Sequence, residues 1–260
     1  MATYLDAILD RHRAAARLDT RSLDALVDDA RRTPPARGFA AALTGASHDT
    51  VAVIAEVKRR SPSKGDLFAD LDPGVLAGQY EAGGASCLSV LTDVDHFGGS
   101  AADLAAARSG CSLPVLRKDF TVAAADVCDA RTMGADAVLL IAAALDDAEL
   151  ADFHRLAVEV GLDPLVEIHD EAELERALAV DARLIGVNQR DLVTFEVDTD
   201  RAVRLAPQMP AGVVRVAESG VRGPDDARRL ADAGYHAVLV GESLVTHGDP
   251  AAGVEALRRA

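Results

Sequence analysis

From residue 51 onward the chain repeats one pattern, a short β-rich apolar run followed by an amphipathic stretch. The runs are Val51–Lys58, Ala85–Thr92, Pro114–Phe120, Ala137–Ala142, Pro164–His169, Leu184–Arg190, Val213–Ser219 and Ala237–Glu242, eight in all. Strand alternating with helix implies parallel strands and right-handed crossovers, and eight repeats is the number that closes a barrel. The intervening stretches carry helix signals: Asp146-Asp147 opens a run through Leu150, Phe153, Leu156 and Ala157 that Gly161 closes. Asp170-Glu171 precedes Leu174–Ala179, and Gly223-Pro224-Asp225-Asp226 precedes Ala227–Ala233. An open doubly wound sheet is disfavoured because no G-x-G-x-x-G follows the first run. The first fifty residues read differently, as helix and connector. Tyr4, Leu5, Ile8 and Leu9 share a helical face, Ser22 opens a second amphipathic run through Leu23, Leu26 and Val27, and Pro34-Pro35 breaks it. The expected fold class is therefore α/β, a (β/α)8 TIM barrel: one domain over residues 1–260, with a helical extension over 1–50 and eight repeats over 51–260. At 260 residues and 49% hydrophobic, the chain can bury a core of that size.

Ionisable residues inside the apolar runs are the informative deviations, because inward positions of a barrel strand should be apolar. Side chains alternate along a strand, so Glu56 and Lys58 share a face with Ile54. In the same way Lys118 goes with Leu116 and Phe120, Glu167 with Leu165, and Glu218 with Val216. These are the first, third, fifth and seventh runs, and odd strands of a barrel fill common layers, so the charges should converge. The sixth run adds Asn188 and Arg190. All lie at the carboxyl ends of their strands, where barrel enzymes hold their active sites. One unpaired buried charge costs several kcal/mol, so such a set must be mutually compensated or used in chemistry. Arg117 and Asp119 alternate with Lys118, and are expected to face the helices as a structural pair.

The formal net charge of −15 gives a field that repels nucleic acid and anionic membranes. An anionic small substrate then needs cations or backbone N–H groups gathered at one place. Glu218-Ser219-Gly220 after the seventh run and Gly241-Glu242-Ser243 after the eighth supply such a place, since the loops after strands 7 and 8 of barrels recurrently hold phosphate. Ser61-Pro62-Ser63-Lys64-Gly65 adds hydroxyls and a cation on the same face. Cys87, Cys111 and Cys128 are odd in number and lack metal-ligand spacing, which suggests reduced thiols and no metal. With no apolar run of membrane-spanning length and no basic leader before an apolar stretch, the chain is expected in the cytoplasm.

The segment Ile54-Ala-Glu-Val-Lys-Arg-Arg-Ser-Pro-Ser-Lys-Gly65 resembles the signature of the indole-3-glycerol-phosphate synthase family. Further matches follow in order: Leu88-Ser-Val-Leu-Thr-Asp93, Phe97-Gly-Gly-Ser100, Pro114-Val-Leu-Arg-Lys-Asp-Phe120, Leu165-Val-Glu-Ile-His-Asp170, Ile185-Gly-Val-Asn-Gln-Arg-Asp-Leu192, Glu218-Ser-Gly220 and Val240-Gly-Glu-Ser-Leu244. They span the chain from about Pro35 to its carboxyl end. The resemblance implies conversion of a carboxyphenylamino-deoxyribulose phosphate to indole-3-glycerol phosphate, carbon dioxide and water, in tryptophan biosynthesis and without a cofactor. It assigns Lys118 as general acid, Glu167 as base, and Lys58, with Glu56 beside it, as the lysine near the substrate carboxylate. Asn188, Arg190, Glu218 and Ser219 correspond to polar positions that orient the substrate and the two lysines. Gly220, Gly241 and Ser243 correspond to phosphate binders, and Ser61 to a substrate contact. Pro62, Phe97, Phe120, Leu139 and Leu192 correspond to apolar positions around the anthranilate ring.

The amino-terminal helices resemble a segment that the family places over the barrel mouth. Departures occur at Gln189, Ala217 and His96, and at Asp10-Arg-His-Arg, where lysine is frequent. His169 is expected to orient or to belong to the loop rather than to catalyse. The implied partner is a small phosphorylated substrate, with no nucleic acid and no membrane, acted on by a monomer or weak homo-oligomer. The alternatives are a barrel like phosphoribosylanthranilate isomerase, which usually ends its first strand in cysteine where this chain has Lys58, and a phosphate-binding paralogue without catalysis. The latter should have lost Lys118 or Glu167.

Overall fold

The computed structural model describes residues 4–45, 51–61, 65–66, 71–246 and 248–259. Eight parallel strands form a closed barrel: β1 (Ala52–Val57), β2 (Cys87–Leu91), β3 (Val115–Lys118), β4 (Ala137–Ile141), β5 (Asp163–Ile168), β6 (Leu184–Asn188), β7 (Val214–Glu218) and β8 (Ala237–Val240). Closure is made by β1 against β8, with Ile54 opposite Leu239 on one side and opposite Cys87 of β2 on the other. Each strand lies within an expected run, shortened at one or both ends, except β5, which begins one residue earlier at Asp163. Outside the barrel the main helices are α4 (Pro73–Ala82), α6 (Ala101–Gly110), α7 (Ala124–Thr132), α8 (Asp147–Glu159), α9 (Glu171–Ala179), α10 (Arg201–Leu205), α11 (Pro224–Asp232) and α13 (Pro250–Arg258). Their starts follow from capping. The Asp146 carboxylate accepts the Glu149 N–H while the Glu149 carboxylate accepts the Asp146 N–H, and Asp170 caps α9 in a similar way.

The strands separate two cores. Ile54, Leu116, Leu139, Leu165, Val216 and Leu239 fill the barrel, while Val53, Val90, Leu140, Val166, Ile185 and Val238 face the helices. This is the alternation expected of a strand buried on both faces. It also carries Arg117 and Asp119 outward as a pair at 3.1 Å, with Arg117 donating to the Asp126 carbonyl at the start of α7.

The amino-terminal extension departs from the expected form. Only α1 (Tyr4–Arg17) lies at the barrel mouth, α2 (Leu23–Arg32) packs along α7, and residues expected to be connector form a third helix, α3 (Phe39–Thr44), at the opposite end. Phe39 and Leu43 of α3 plug the floor of the barrel and are completely or almost completely buried. Asp136 and Asp163, just before β4 and at its neighbour's start, accept the Arg37 and Ala40 backbone N–H groups at 2.7 and 2.9 Å. Asp136 also pairs with Arg108 and accepts the Val115 N–H, so its fully buried carboxylate is satisfied.

At the mouth, Arg13 holds Glu149 with two bonds of 2.6 and 2.8 Å and donates to the Ala144 carbonyl. His12 Nε2 meets the Asp93 carboxylate at 2.9 Å. Asp93 caps α5 (Val94–Phe97), so the contact ties α1 to the loop after β2. The bond to Asp93 raises the His12 pKa above histidine's ordinary 6.5, against the opposing effect of burial. A raised folded-state pKa contributes stability that is complete below 6.5 and lost as pH rises through the folded value. The Tm deficit of His12→Asn relative to the unaltered protein should therefore be largest in mildly acidic buffer and shrink on the alkaline side, which a thermal-denaturation series across pH would read. A deficit that grows with pH would mean that His12 docks as the neutral ring.

Candidate active site

The carboxyl ends of the strands converge as alternation requires. Lys118, last in β3, places its ammonium 3.1 Å from Glu167 Oε2 and 3.4 Å from Glu218 Oε2, carboxylates from β5 and β7. Asn188, last in β6, donates to Glu167 Oε1 at 3.1 Å. Its own carbonyl oxygen accepts from the Ser219 hydroxyl at 2.9 Å and the Arg190 N–H at 3.0 Å. Lys58, one residue beyond β1, pairs with Glu56. Two glycines make room for this layer. A Cβ on Gly186 would lie 2.2 Å from Glu218 Oε1, and one on Gly241 would lie 2.5 Å from Glu56 Oε1.

Electrostatics divides the cluster. Burial alone would lower the Lys118 pKa, but Glu167, Glu218 and Glu56 outweigh it and hold the ammonium charged above lysine's ordinary value. Glu167 is pushed up by burial and brought below the carboxylate range by Lys118, His169 and the Asn188 bond. Glu218 goes the other way, raised by burial and by the neighbouring Glu167 charge, which Lys118 only partly offsets. One cation between two buried carboxylates therefore leaves Glu167 as the anion and Glu218 as the proton holder. The three titrate as a unit.

A cavity of about 570 Å³ opens over this layer. Lys58, Glu56, Lys118, Glu167, Asn188 and Glu218 line it, with Ser61, Arg190 and Ser219. Its apolar wall includes Phe97, Phe120, Leu139 and Leu192, with the two phenyl rings 6.3 Å apart. Gly220, Gly241 and Ser243 line the far side. Every described residue singled out as a site candidate from sequence thus borders one cavity, while Pro62 lies outside the described residues.

Sequence reasoning missed several others. Phe195, Val197 and Arg222 also line the cavity. Phe195 sits at a left-handed φ of 61° and its carbonyl accepts from Arg190 at 3.0 Å, so this loop is shaped to aim the guanidinium. The lone aromatic between two strand-like segments was the available signal. Tyr4 of α1 packs edge-on against Phe195 and His96, which gives the departure at position 96 a partner. Gln189, another departure, donates to the Ser219 carbonyl at 2.7 Å and braces a turn in which Ser219 and Gly220 are both left-handed, at φ 64° and 75°. Among the described residues, one histidine-carboxylate group, His12, Asp93 and Asp119, brings ligand-type atoms within 4.8 Å of one another. Its carboxylates already bond to His12, His96, Thr92 and Arg117 at the rim, apart from the Lys118 cluster.

The sequence profile of the family described as indole-3-glycerol phosphate synthase matches residues 5–257. The chain belongs to the indole-3-glycerol phosphate synthase family. It is 52% identical to the indole-3-glycerol phosphate synthase of Streptomyces griseus over 254 residues, 97% of this chain and 93% of that one. It is likewise 52% identical to indole-3-glycerol phosphate synthase 1 of Streptomyces coelicolor, covering 98% and 94%. The synthase of Acinetobacter baumannii shares 47% over 95% of this chain and 92% of its own. These likenesses place the chain with the synthases rather than with phosphoribosylanthranilate isomerases. Solved structures that it resembles share the barrel alone. A 3-hexulose-6-phosphate synthase superposes with a TM-score of 0.63 at 16% identity, over 80% of this chain and 98% of that one. A thiamine phosphate pyrophosphorylase from Pyrococcus furiosus gives 0.59 at 14%, over 81% and 94%. Indole-3-glycerol phosphate synthases are carboxy-lyases of tryptophan biosynthesis, so the family assignment makes this chain an enzyme of that class.

Proposed function

We propose that the cavity converts 1-(2-carboxyphenylamino)-1-deoxyribulose 5-phosphate to indole-3-glycerol phosphate, carbon dioxide and water, with Lys118 as general acid. The observation that carries this is the Lys118 ammonium held between Glu167 and Glu218 on the wall of a cavity with apolar rings on one side and two glycine turns on another. The anthranilate ring lies against Phe97, Phe120, Leu139 and Leu192, the phosphate at Gly220, Gly241 and Ser243, and the carboxylate toward Lys58, with Ser61 completing the substrate contacts.

The ring carbon bearing the carboxylate attacks the ketone carbon, and Lys118 gives a proton to the ketone oxygen as the bond forms. The ring is then an iminium cation, so the C–CO2 bond breaks with its electron pair moving into the ring, and no further electron sink is needed. Dehydration takes a second proton, supplied by a lysine ammonium of the cluster and replaced from solvent, to the hydroxyl as it leaves as water. Glu167, the anion of the cluster, removes one from the adjacent carbon and can return it to Lys118 across their 3.1 Å contact. Asn188 and Glu218 keep Lys118 and Glu167 in register, while Arg190 and Ser219 hold the sugar chain.

No described helix is long and apolar enough to cross a membrane. Membership of a biosynthetic enzyme family supports action on a small phosphorylated substrate in the cytoplasm, which we assign to a monomer or weak homo-oligomer. Purified protein given the substrate should produce indole fluorescence and carbon dioxide in equal amounts, with no metal or nucleotide added. Folded protein that produces neither would overturn the assignment.

The glycine turn has its own test. At Gly220 φ is 75°, and a Cβ there would lie 2.8 Å from Val197 Cγ1. Gly220→Ala should raise KM by about tenfold, the equivalent of 1–2 kcal/mol of left-handed strain, with a smaller change in kcat. Steady-state kinetics separates the two, and a fall confined to kcat would place the phosphate elsewhere.

A further inference from the structure

Glu167 has a neighbour that the steps above leave unused. His169 follows β5 and carries a side chain only 12% exposed. Glu173, in the first turn of α9, grips it twice: one carboxylate oxygen accepts the His169 backbone N–H at 2.7 Å and lies 3.1 Å from Nδ1. This fixes the ring, and a carboxylate at Nδ1 requires a proton on that nitrogen. The other nitrogen, Nε2, is buried, has no hydrogen-bond partner, and stands 3.7 Å from Glu167 Oε1. A buried polar atom without a hydrogen-bond partner, a state it shares in this cluster with Glu218 Oε1, calls for a role.

The charged groups around the ring are Glu167 on its own strand, Glu173 on α9 and Arg201 on α10. Burial and Arg201 oppose a charge on the imidazole, yet the two carboxylates prevail and raise its pKa. Lys118 and Asn188 already occupy the two oxygens of Glu167. The imidazole therefore adds no ordinary bond to the carboxylate. When protonated it adds a second positive charge, beside Oε1.

We infer that His169, fixed by Glu173, is a positioning residue for Glu167, supplying a positive charge opposite Oε1 that keeps the carboxylate in the form able to take a proton. This rests on the assignment of Glu167 as the base. A base must be unprotonated between cycles, yet Glu167 is buried beside Glu218, which favours protonating one of the two. Lys118 compensates the negative charge of the pair and gives up its own proton during ring closure. At that moment His169 is the remaining cation in contact with Glu167 among the described residues. The Glu173–His169 pair thus keeps the base from capturing a proton when the acid discharges.

The test is the pH profile of kcat in the full-length enzyme. His169→Gln keeps polar atoms at the site and removes the charge. It should lower kcat about tenfold near neutral pH and move the acidic limb upward by about one pH unit, the lower end of the shift caused by an opposite charge at this distance, with KM within about twofold. His169→Lys, which restores a cation, should return the limb toward its original place. Glu173→Gln leaves the ring present but less charged, and should move the limb in the same direction by a smaller amount. An unmoved acidic limb in either His169→Gln or Glu173→Gln, with Tm close to that of the unaltered protein, overturns the inference. If His169→Gln does not fold, Glu173→Gln decides alone. Unaltered enzyme that makes no indole would instead overturn the assigned reaction, so the two failures are distinct.

Discussion

Lys118→Ala is expected to lower kcat by at least about 100-fold, the usual scale for loss of a general acid. The effect should exceed that scale because the lysine has two tasks. It donates the proton for ring closure, and it is the cation between Glu167 and Glu218, at 3.1 and 3.4 Å. Without it, the buried carboxylates must take up a proton, and Glu167 stops being an available base. The tasks separate with Lys118→Arg. Guanidinium keeps the charge and does not give up its proton in this pH range, so the variant should hold most of the stability while remaining catalytically poor. Lys118→Ala should also lose about 3 kcal/mol or more of stability at alkaline pH, where both carboxylates resist protonation, and less in acid. Indole fluorescence and a denaturation series check both halves. Near-normal turnover in Lys118→Ala would transfer the acid role to Lys58, which is paired with Glu56 in the same cavity.

Glu167→Gln is the second large effect, and its signature differs. The amide is nearly isosteric, and loss of the charge beside Glu218 should let that carboxyl ionise and take over as the anion facing Lys118. The fold should therefore be little changed. Ring closure and decarboxylation need the acid, whereas removal of the carbon-bound proton needs the base. In a single turnover, carbon dioxide should appear faster than indole fluorescence, with overall kcat down about 100-fold or more. Carbon dioxide and indole slowing together would place Glu167 in the first step. The pH dependence follows the same logic. A carboxylate whose pKa is held down by Lys118, His169 and Asn188 supports both stability and activity above its ordinary range, and loses them as pH falls through the lowered value.

Much of this site was legible before any coordinates because two periodicities reinforce each other. Alternation within a strand put Glu56, Lys118, Glu167 and Glu218 on inward faces, and alternation of strands around a barrel put those faces together. The partners at 3.1 to 3.4 Å required only those two rules and a closed ring. What escaped depends on contacts between segments far apart in the chain. Phe39 and Leu43 look like part of a connector until the barrel floor supplies a cavity for them. The left-handed Ser219 is set by Gln189, thirty residues earlier, through a bond that no local pattern encodes. Phe195 belongs to a loop without periodicity, and Tyr4, Arg190 and the Asp191 carbonyl give it a defined place. His169 reads from sequence as an orienting or loop residue, and its carboxylate neighbours Glu167 and Glu173 come from contacts that only the fold brings together.

The amino-terminal segment has a further consequence for how the molecule is made. Residues 4–45 are synthesised before every barrel residue they touch: Arg13 waits for Glu149, Arg37 for Asp136 and Ala40 for Asp163, across separations of 136, 99 and 123 residues. Contacts so distant form late, since the closure entropy must be met before they contribute. On an elongating ribosome the helices that seal the floor and reach the mouth therefore lack a complete docking surface until strands four and five have emerged. Until then Phe39, Leu43 and Ile8 are exposed apolar surface of the kind chaperones bind. The segment closest to the start of this sequence is thus among the last to be secured, and substitutions that weaken its contacts should show as poor yield in cells more readily than as lost activity in the protein that folds.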